Sequence, residues 1–76
     1  MVDKTEILVR FGETLRSQRS KVGLSQEDLA IQAGLDRSYV GGVERGERNV
    51  SLINMAKLAK ALGISPAELL KGITND

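Results

Sequence analysis

The stretch Gly23–Gly46, GLSQEDLAIQAGLDRSYVGGVERG, decides how this chain folds, because glycines bound two short segments of helical spacing within it. Ser25 occupies an expected helix N-cap, and Asp28 three residues later gives the pattern of a capping box. Gly34 is the expected end of the first segment, and Asp36 the expected N-cap of the second. The pattern predicts two short helices joined by a tight turn.

The sequence on either side has the same helical spacing. A first helix is expected from Thr5 to Lys21, and Ser51 and Ser65 are expected to cap a fourth and a fifth, with Pro66 at the first position of the fifth. The apolar stripe of the first helix is Leu8, Phe11, Leu15 and Val22. That of the fourth is Leu52, Met55, Ala56, Ala59 and Leu62. The predicted fold is therefore all-α: one compact five-helix domain over residues 1–76, with its core at about 5–71.

Composition narrows the function classes. The 76 residues carry a net charge of +1 and contain neither cysteine nor histidine. A disulfide or thiolate metal site is thereby excluded, and the commonest general base is missing, so we expect no enzyme, no cofactor and no metal. The N-terminal segment MVDKTEILVRFGE has acidic residues where a signal peptide is apolar. We expect a cytoplasmic protein that does not contact membranes.

The predicted second and third helices are the pair most informative about function. The turn between them holds Gly34, and Ala30 is small where the third helix would pass over the second. A DNA-binding helix–turn–helix needs this arrangement, because its second helix enters the major groove. On these two helices alone, a simple packing unit is the alternative.

Further motifs add a family resemblance. GLSQEDLA, Gly34, ERG and AKALGIS together resemble the phage-repressor family of helix–turn–helix regulators, from about Leu8 to Leu70. Within that family, LDRSYVGGVERGERNVSLINMAKLAKAL is most similar to controller proteins of restriction–modification systems. The resemblance implies a transcriptional regulator that binds double-stranded DNA sequence-specifically and contacts the transcription machinery. An antitoxin-like protein-interaction module with the same fold is the alternative.

The third helix predicts which residues face DNA. At 100° per residue, Val40 and Val43 define its core side. The opposite, solvent side is expected to carry Arg37, Ser38, Gly41, Gly42 and Arg45. Arg37 can offer its guanidinium to guanine, and Ser38 can bond a base or a phosphate. The two glycines would let the backbone approach the groove closely, and the resemblance implies base contacts at the positions of Arg37, Ser38 and Gly42.

Other candidate DNA contacts surround this helix. Ser25 and Gln26 begin the second helix, whose N–H groups favour a phosphate that the Gln26 amide would also support; a plain cap role is the alternative. Tyr39 is expected either to bond a phosphate through its hydroxyl or to be a partly buried ring. The resemblance implies backbone or groove contacts for Arg48 and Asn49 in the loop GERN, with a solvated arginine as the alternative for Arg48.

One further pair of residues is expected to have a structural role. Arg19 falls on the apolar stripe of the first helix, where a lone charge is costly, and Glu44 points partly inward on the third. The resemblance implies that they form a structural ion pair rather than a DNA contact.

Aliphatic side chains in the C-terminal half predict a homodimer on a pseudo-palindromic operator. They exceed what a small core can hide, and the alternative is that they complete the core of one protomer. These residues are Ile53, Ile64, Leu69 and Ile73.

Overall fold

Five α-helices follow one another along residues 3–73, the part of the chain that this computed structural model describes. They are α1 (Lys4–Lys21), α2 (Gln26–Ala33), α3 (Arg37–Glu44), α4 (Leu52–Leu62) and α5 (Pro66–Leu70). No strand forms within this range, so the all-α prediction is confirmed there. None of these helices combines the length and the apolar character needed to cross a membrane.

Polar side chains start three of the helices by bonding free backbone amides. The Asp3 carboxylate accepts from Glu6 N at 2.8 Å, and Ser51 Oγ accepts from Asn54 N at 3.0 Å. Ser25 Oγ accepts from the Asp28 amide at 2.9 Å, and the Asp28 carboxylate accepts from the Ser25 amide at 3.4 Å. These local bonds fix the helix starts and complete the capping box that the sequence predicts.

Two expected caps lack the side-chain bond. Asp36 and Ser65 stand at the N-caps of α3 and α5, but neither side chain accepts a cap hydrogen bond. At Ser65 the backbone carbonyl accepts from Glu68 N at 3.0 Å, and Pro66 at the first helical position has no amide to donate. The Asp36 carboxylate stays exposed at the start of α3, where a negative charge is favourable.

Gly34 sets the turn between α2 and α3. Its φ of 71° is left-handed, a conformation that glycine adopts without the steric cost of a Cβ. Gly34 N donates to Ile31 O at 3.2 Å, and Leu35 N donates to Ala30 O at 2.8 Å. These bonds close α2 and turn the chain directly into α3.

The core lies between all five helices. α1 packs against α3 and α5, α2 packs against α3 and α4, and α4 packs against α5. The buried apolar side chains are Phe11, Leu15, Leu29, Ala30, Ala33, Val40, Val43, Met55, Leu58, Ala59, Leu62 and Leu69.

Parts of the two predicted apolar stripes are wrong. Val22 is 50% exposed because α1 ends at Lys21 and Val22 is already its C-cap. On α4 the inward face is centred on Leu58, which is fully buried, whereas Leu52 and Ala56 are exposed. Burying Leu58 removes more apolar surface from water than burying Ala56 would, which favours this orientation of the helix.

α1 and α3 cross at Gly12 with their backbones in close contact. A Cβ at this position would overlap the carbonyl oxygens of Val43 and Glu44. Gly12 therefore sets how closely the C-terminal end of α3 approaches α1.

We expect Gly12→Ala to lower the free energy of unfolding by about 1–3 kcal/mol, because a methyl group here forces the two backbones apart. Denaturant unfolding followed by circular dichroism measures this change. Glu13→Ala, at the next and exposed position of α1, is the control and should change stability little. Equal stability of the two variants would contradict the close crossing.

Candidate nucleic-acid interface

The first turn of α3 presents Arg37 and Ser38 to solvent. On the other side of the same helix, Val40 and Val43 are buried in the core. A helix anchored in this way by one face can enter a DNA groove with its N-terminal residues. Arg37 and Ser38 thus have the exposure that base contact requires.

A buried polar cluster holds the far end of α3. Arg19 Nε and Nη2 donate to the two carboxylate oxygens of Glu44 at 2.6 and 3.0 Å. Gln26 Nε2 donates to the same carboxylate at 2.9 Å, and Arg19 Nη1 donates to Leu24 O at 2.9 Å. The cluster joins α1, α2 and α3, and we refer to Arg19, Gln26 and Glu44 as the three-helix cluster.

Solvent is nearly excluded from the ion pair within the three-helix cluster. The side chains of Arg19 and Glu44 are 14% and 2% exposed. The hydrogen bond from Arg19 to Glu44 is the main cause that raises the pKa of Arg19, against the opposing effect of burial. The guanidinium therefore stays charged, and the bidentate geometry fixes the rotation of α3 about its own axis.

The start of α2 lies next to this cluster. Ser25 uses its hydroxyl oxygen to cap α2, which leaves the hydroxyl proton available for a phosphate. Gln26 directs its amide nitrogen to Glu44, a contact between residues 18 positions apart that no local pattern in the sequence indicates.

The expectation that Gly41 and Gly42 face solvent is wrong. Both point away from Val40 and Val43, but both are buried. A Cβ on Gly41 would lie 3.1 Å from Arg45 Nη1 and 3.3 Å from Gln26 Oε1. Long polar side chains from neighbouring segments therefore cover the glycines, an outcome that helical periodicity does not predict.

Tyr39 is partly buried, with polar contacts on both its ring and its hydroxyl. Asn54 Nδ2 donates to the Tyr39 hydroxyl oxygen at 3.1 Å. The Arg48 guanidinium carbon lies 5.6 Å from the centre of the ring, within the range of a cation–π contact. Sequence reasoning missed Asn54, whose pairing with Tyr39 joins the first turn of α4 to α3 across 15 positions of the chain.

The loop after α3 adds further charge to this surface. Arg48 and Asn49 are both exposed, as DNA contacts must be. Arg45 pairs with Glu47 at 3.1 Å, and this hydrogen bond is the main cause that raises the pKa of Arg45. The charge of Arg45 is thus partly compensated by its neighbour.

The residues assigned to a dimer interface separate into different environments. Leu69 is fully buried in the core, so its assignment to an interface is wrong. Ile64 and Ile73 are partly buried and pack against the core. Ile53 is 69% exposed, and Leu52 beside it is 75% exposed. Together with exposed Ala56, these two residues form what we term the α4 apolar face.

Within residues 3–73, no group of three or more His, Cys, Asp or Glu side chains is placed to hold a metal ion.

Comparison with known proteins identifies one matching family and several similar controller proteins. The helix-turn-helix family model HTH_3 matches residues 15–69. Control protein C.MunI of Mycoplasma sp is 44% identical over 72 residues, covering 93% of this chain and 97% of the relative. Control protein C.BamHI of Bacillus amyloliquefaciens is 49% identical over 65 residues, covering 84% and 80%. The crystal structure of the restriction-modification controller protein C.AhdI from Aeromonas hydrophila superposes with a TM-score of 0.81 at 68% identity, covering 82% and 94%.

We expect Arg19→Met to lower the free energy of unfolding by about 3–5 kcal/mol, because it leaves the Glu44 carboxylate buried without its cation. Thermal and denaturant unfolding measure the loss. Glu47→Gln removes the negative charge of the Arg45–Glu47 pair, whose side chains are 59% and 60% exposed, and should change stability little. Similar losses in both variants would show that the three-helix cluster does not hold α3.

Proposed function

This chain belongs to the helix-turn-helix family, and from that membership we propose that it is a controller protein of a restriction–modification system. It is a DNA-binding transcriptional regulator of this family, and it is similar to control and controller proteins. The alternative of an antitoxin-like module finds no support among the relatives described above. The proposal also includes the expectations that the protein is not an enzyme, works in the cytoplasm and uses no cofactor.

One observation supports the proposal most directly: α3 is held at its C-terminal end while its first turn is exposed. Arg37 has the donor geometry to bond guanine O6 and N7, and Ser38 can bond a base or a phosphate. Ser25 at the start of α2, with Arg48 and Asn49 after α3, would contact phosphates and set the position of α3 in the groove. Residues 3–73 would thus act as one DNA-binding domain.

We further propose that the regulator binds DNA as a homodimer through the α4 apolar face. Leu52, Ile53 and Ala56 are neighbours on one side of α4 and lie outside the core. A twofold contact there would place two α3 helices on half-sites about 34 Å apart, on a pseudo-palindromic operator. Contact with the transcription machinery would use a surface left free by DNA and the dimer, such as α2 around Ile31.

Selection from a pool of randomised DNA duplexes, followed by gel-shift titration of the enriched duplex, tests the DNA-binding function. We expect an enriched pseudo-palindrome bound at least about a thousandfold more tightly than a mixed-sequence duplex. No enrichment, or equal affinity for both duplexes, would contradict a sequence-specific regulator.

We expect Arg37→Ala to lose about 1–3 kcal/mol of binding free energy and to relax the preference at one base pair in each half-site. Arg48→Ala should weaken binding to every sequence and reduce the salt dependence. Titrations against single-base variants of the selected duplex distinguish these effects. Arg16→Ala, on the exposed surface of α1, is the control. An unchanged order of affinities in Arg37→Ala would refute its base contact.

We expect Ile53→Asp to make the protein monomeric, because a charge would be buried in the proposed interface. Ile31→Asp is a matched control, since Ile31 on α2 is 70% exposed and Ile53 is 69% exposed. Sedimentation velocity over a range of concentrations measures the mass of each variant. A wild-type protein that stays monomeric, or equal behaviour of the two variants, would refute the proposed interface.

A further inference from the structure

We propose that Gly42 is a positioning residue for Arg48. The absence of a Cβ at Gly42 makes room for the aliphatic part of the Arg48 side chain, which then holds its guanidinium beside α3, ready to contact a DNA phosphate. The phosphate contact of Arg48 rests on the proposed function, whereas the packing of Arg48 on Gly42 can be tested without DNA.

The contact between these residues involves the stem of the arginine rather than its tip. A Cβ at Gly42 would lie 2.7 Å from Arg48 Cγ and 3.6 Å from its Cδ and Nε. A separation of 2.7 Å is shorter than carbon atoms tolerate, so any side chain at position 42 must displace Arg48. Because Cγ is near the backbone, the displacement moves the whole remaining side chain.

Tyr39 bounds Arg48 on a second side. Its ring lies 5.6 Å from the guanidinium carbon, and its hydroxyl is fixed by Asn54 at 3.1 Å. Asn54 belongs to the first turn of α4, whose start is capped by Ser51. Arg48 is thus packed between a glycine of α3 and a ring held by α4, although it belongs to a loop.

Through this packing, Gly42 would influence the affinity of the protein for DNA. An arginine that is already confined before binding loses less rotamer freedom when it meets a phosphate. Displacing it should weaken binding to all sequences, because a phosphate contact carries no base preference. This positioning role differs from a close approach of the Gly42 backbone to DNA. In a close approach, a methyl group at position 42 would obstruct DNA whether or not Arg48 is present.

Gly41 provides a matched control in the same helix. A Cβ there would meet the terminal atoms of two side chains, Arg45 Nη1 at 3.1 Å and Gln26 Oε1 at 3.3 Å. These atoms would have to shift by a few tenths of an ångström, whereas the contact at Gly42 is with Cγ of Arg48, near the backbone. Gly41→Ala has the same gain in helix propensity as Gly42→Ala, and it should leave Arg48 in place.

The first test uses the free protein. Tyr39 is the single tyrosine of the chain, so its ring resonances in NMR spectra report on the cation packed over it. We expect Gly42→Ala to shift these resonances toward their positions in Arg48→Ala, and Gly41→Ala to leave them near those of the wild type. Unchanged Tyr39 resonances in Gly42→Ala would overturn the packing role.

The second test is a double-mutant cycle with the duplex selected by the wild-type protein and a mixed-sequence duplex. We expect Gly42→Ala and Arg48→Ala each to weaken binding to both duplexes, by about tenfold for the loss of one charge-assisted contact. The logarithmic salt slope should fall by about one in each. In the Arg48→Ala background, Gly42→Ala should cause no further loss.

The outcomes separate the inference from the proposed function. If the wild-type protein selects no duplex, the proposed function and the phosphate contact fail together, while the Tyr39 resonances still decide the packing of Arg48 on Gly42. If the wild type binds but Gly42→Ala weakens binding equally with and without Arg48, the positioning role is refuted and close approach of the backbone is supported. Circular dichroism melting of each variant confirms that the compared proteins are folded.

Discussion

The placement of α3 depends on the Glu44 carboxylate. Glu44 belongs to α3, and it accepts hydrogen bonds from Arg19 of α1 and Gln26 of α2. Beside it, Gly12 lets the α1 backbone touch the last carbonyls of α3. Both contacts act on the C-terminal end of α3. Its first turn, with Arg37 and Ser38, is therefore directed outward without needing contacts of its own.

If stability alone is considered, a buried ion pair is a less favourable way to hold a helix than apolar packing. Apolar side chains of similar volume often give equal or greater stability, because charges lose their hydration on burial. Hydrogen bonds from a guanidinium, however, have fixed directions, whereas apolar packing tolerates rotation. With a core of mostly small and medium aliphatic side chains, the three-helix cluster supplies the angular definition of α3 that base contact requires.

Features set by neighbouring residues were predictable from the sequence, and contacts between distant segments were not. The capping box of Ser25 and the left-handed turn at Gly34 follow from local chemistry, and the structure has both. The bond from Asn54 to Tyr39 and the packing of Arg48 over Gly42 depend on how segments meet in space. The orientation of α4 was ambiguous for another reason: it is apolar on more than one side, so periodicity alone did not distinguish its buried face from the exposed one.

The packing of Arg48 over Gly42 accounts for one of the two adjacent glycines in α3. Each costs about 1 kcal/mol in a helix interior relative to alanine, and the face on which they lie contributes nothing to the core. The chain has a net charge of only +1, so long-range attraction to DNA is weak and local placement of cations matters more. Arg45 is engaged by Glu47, so in the proposed complex Arg48 would supply much of the attraction to phosphates near α3. Under the proposed function, a glycine beneath the stem of Arg48 would confine this cation beside α3 without adding charge.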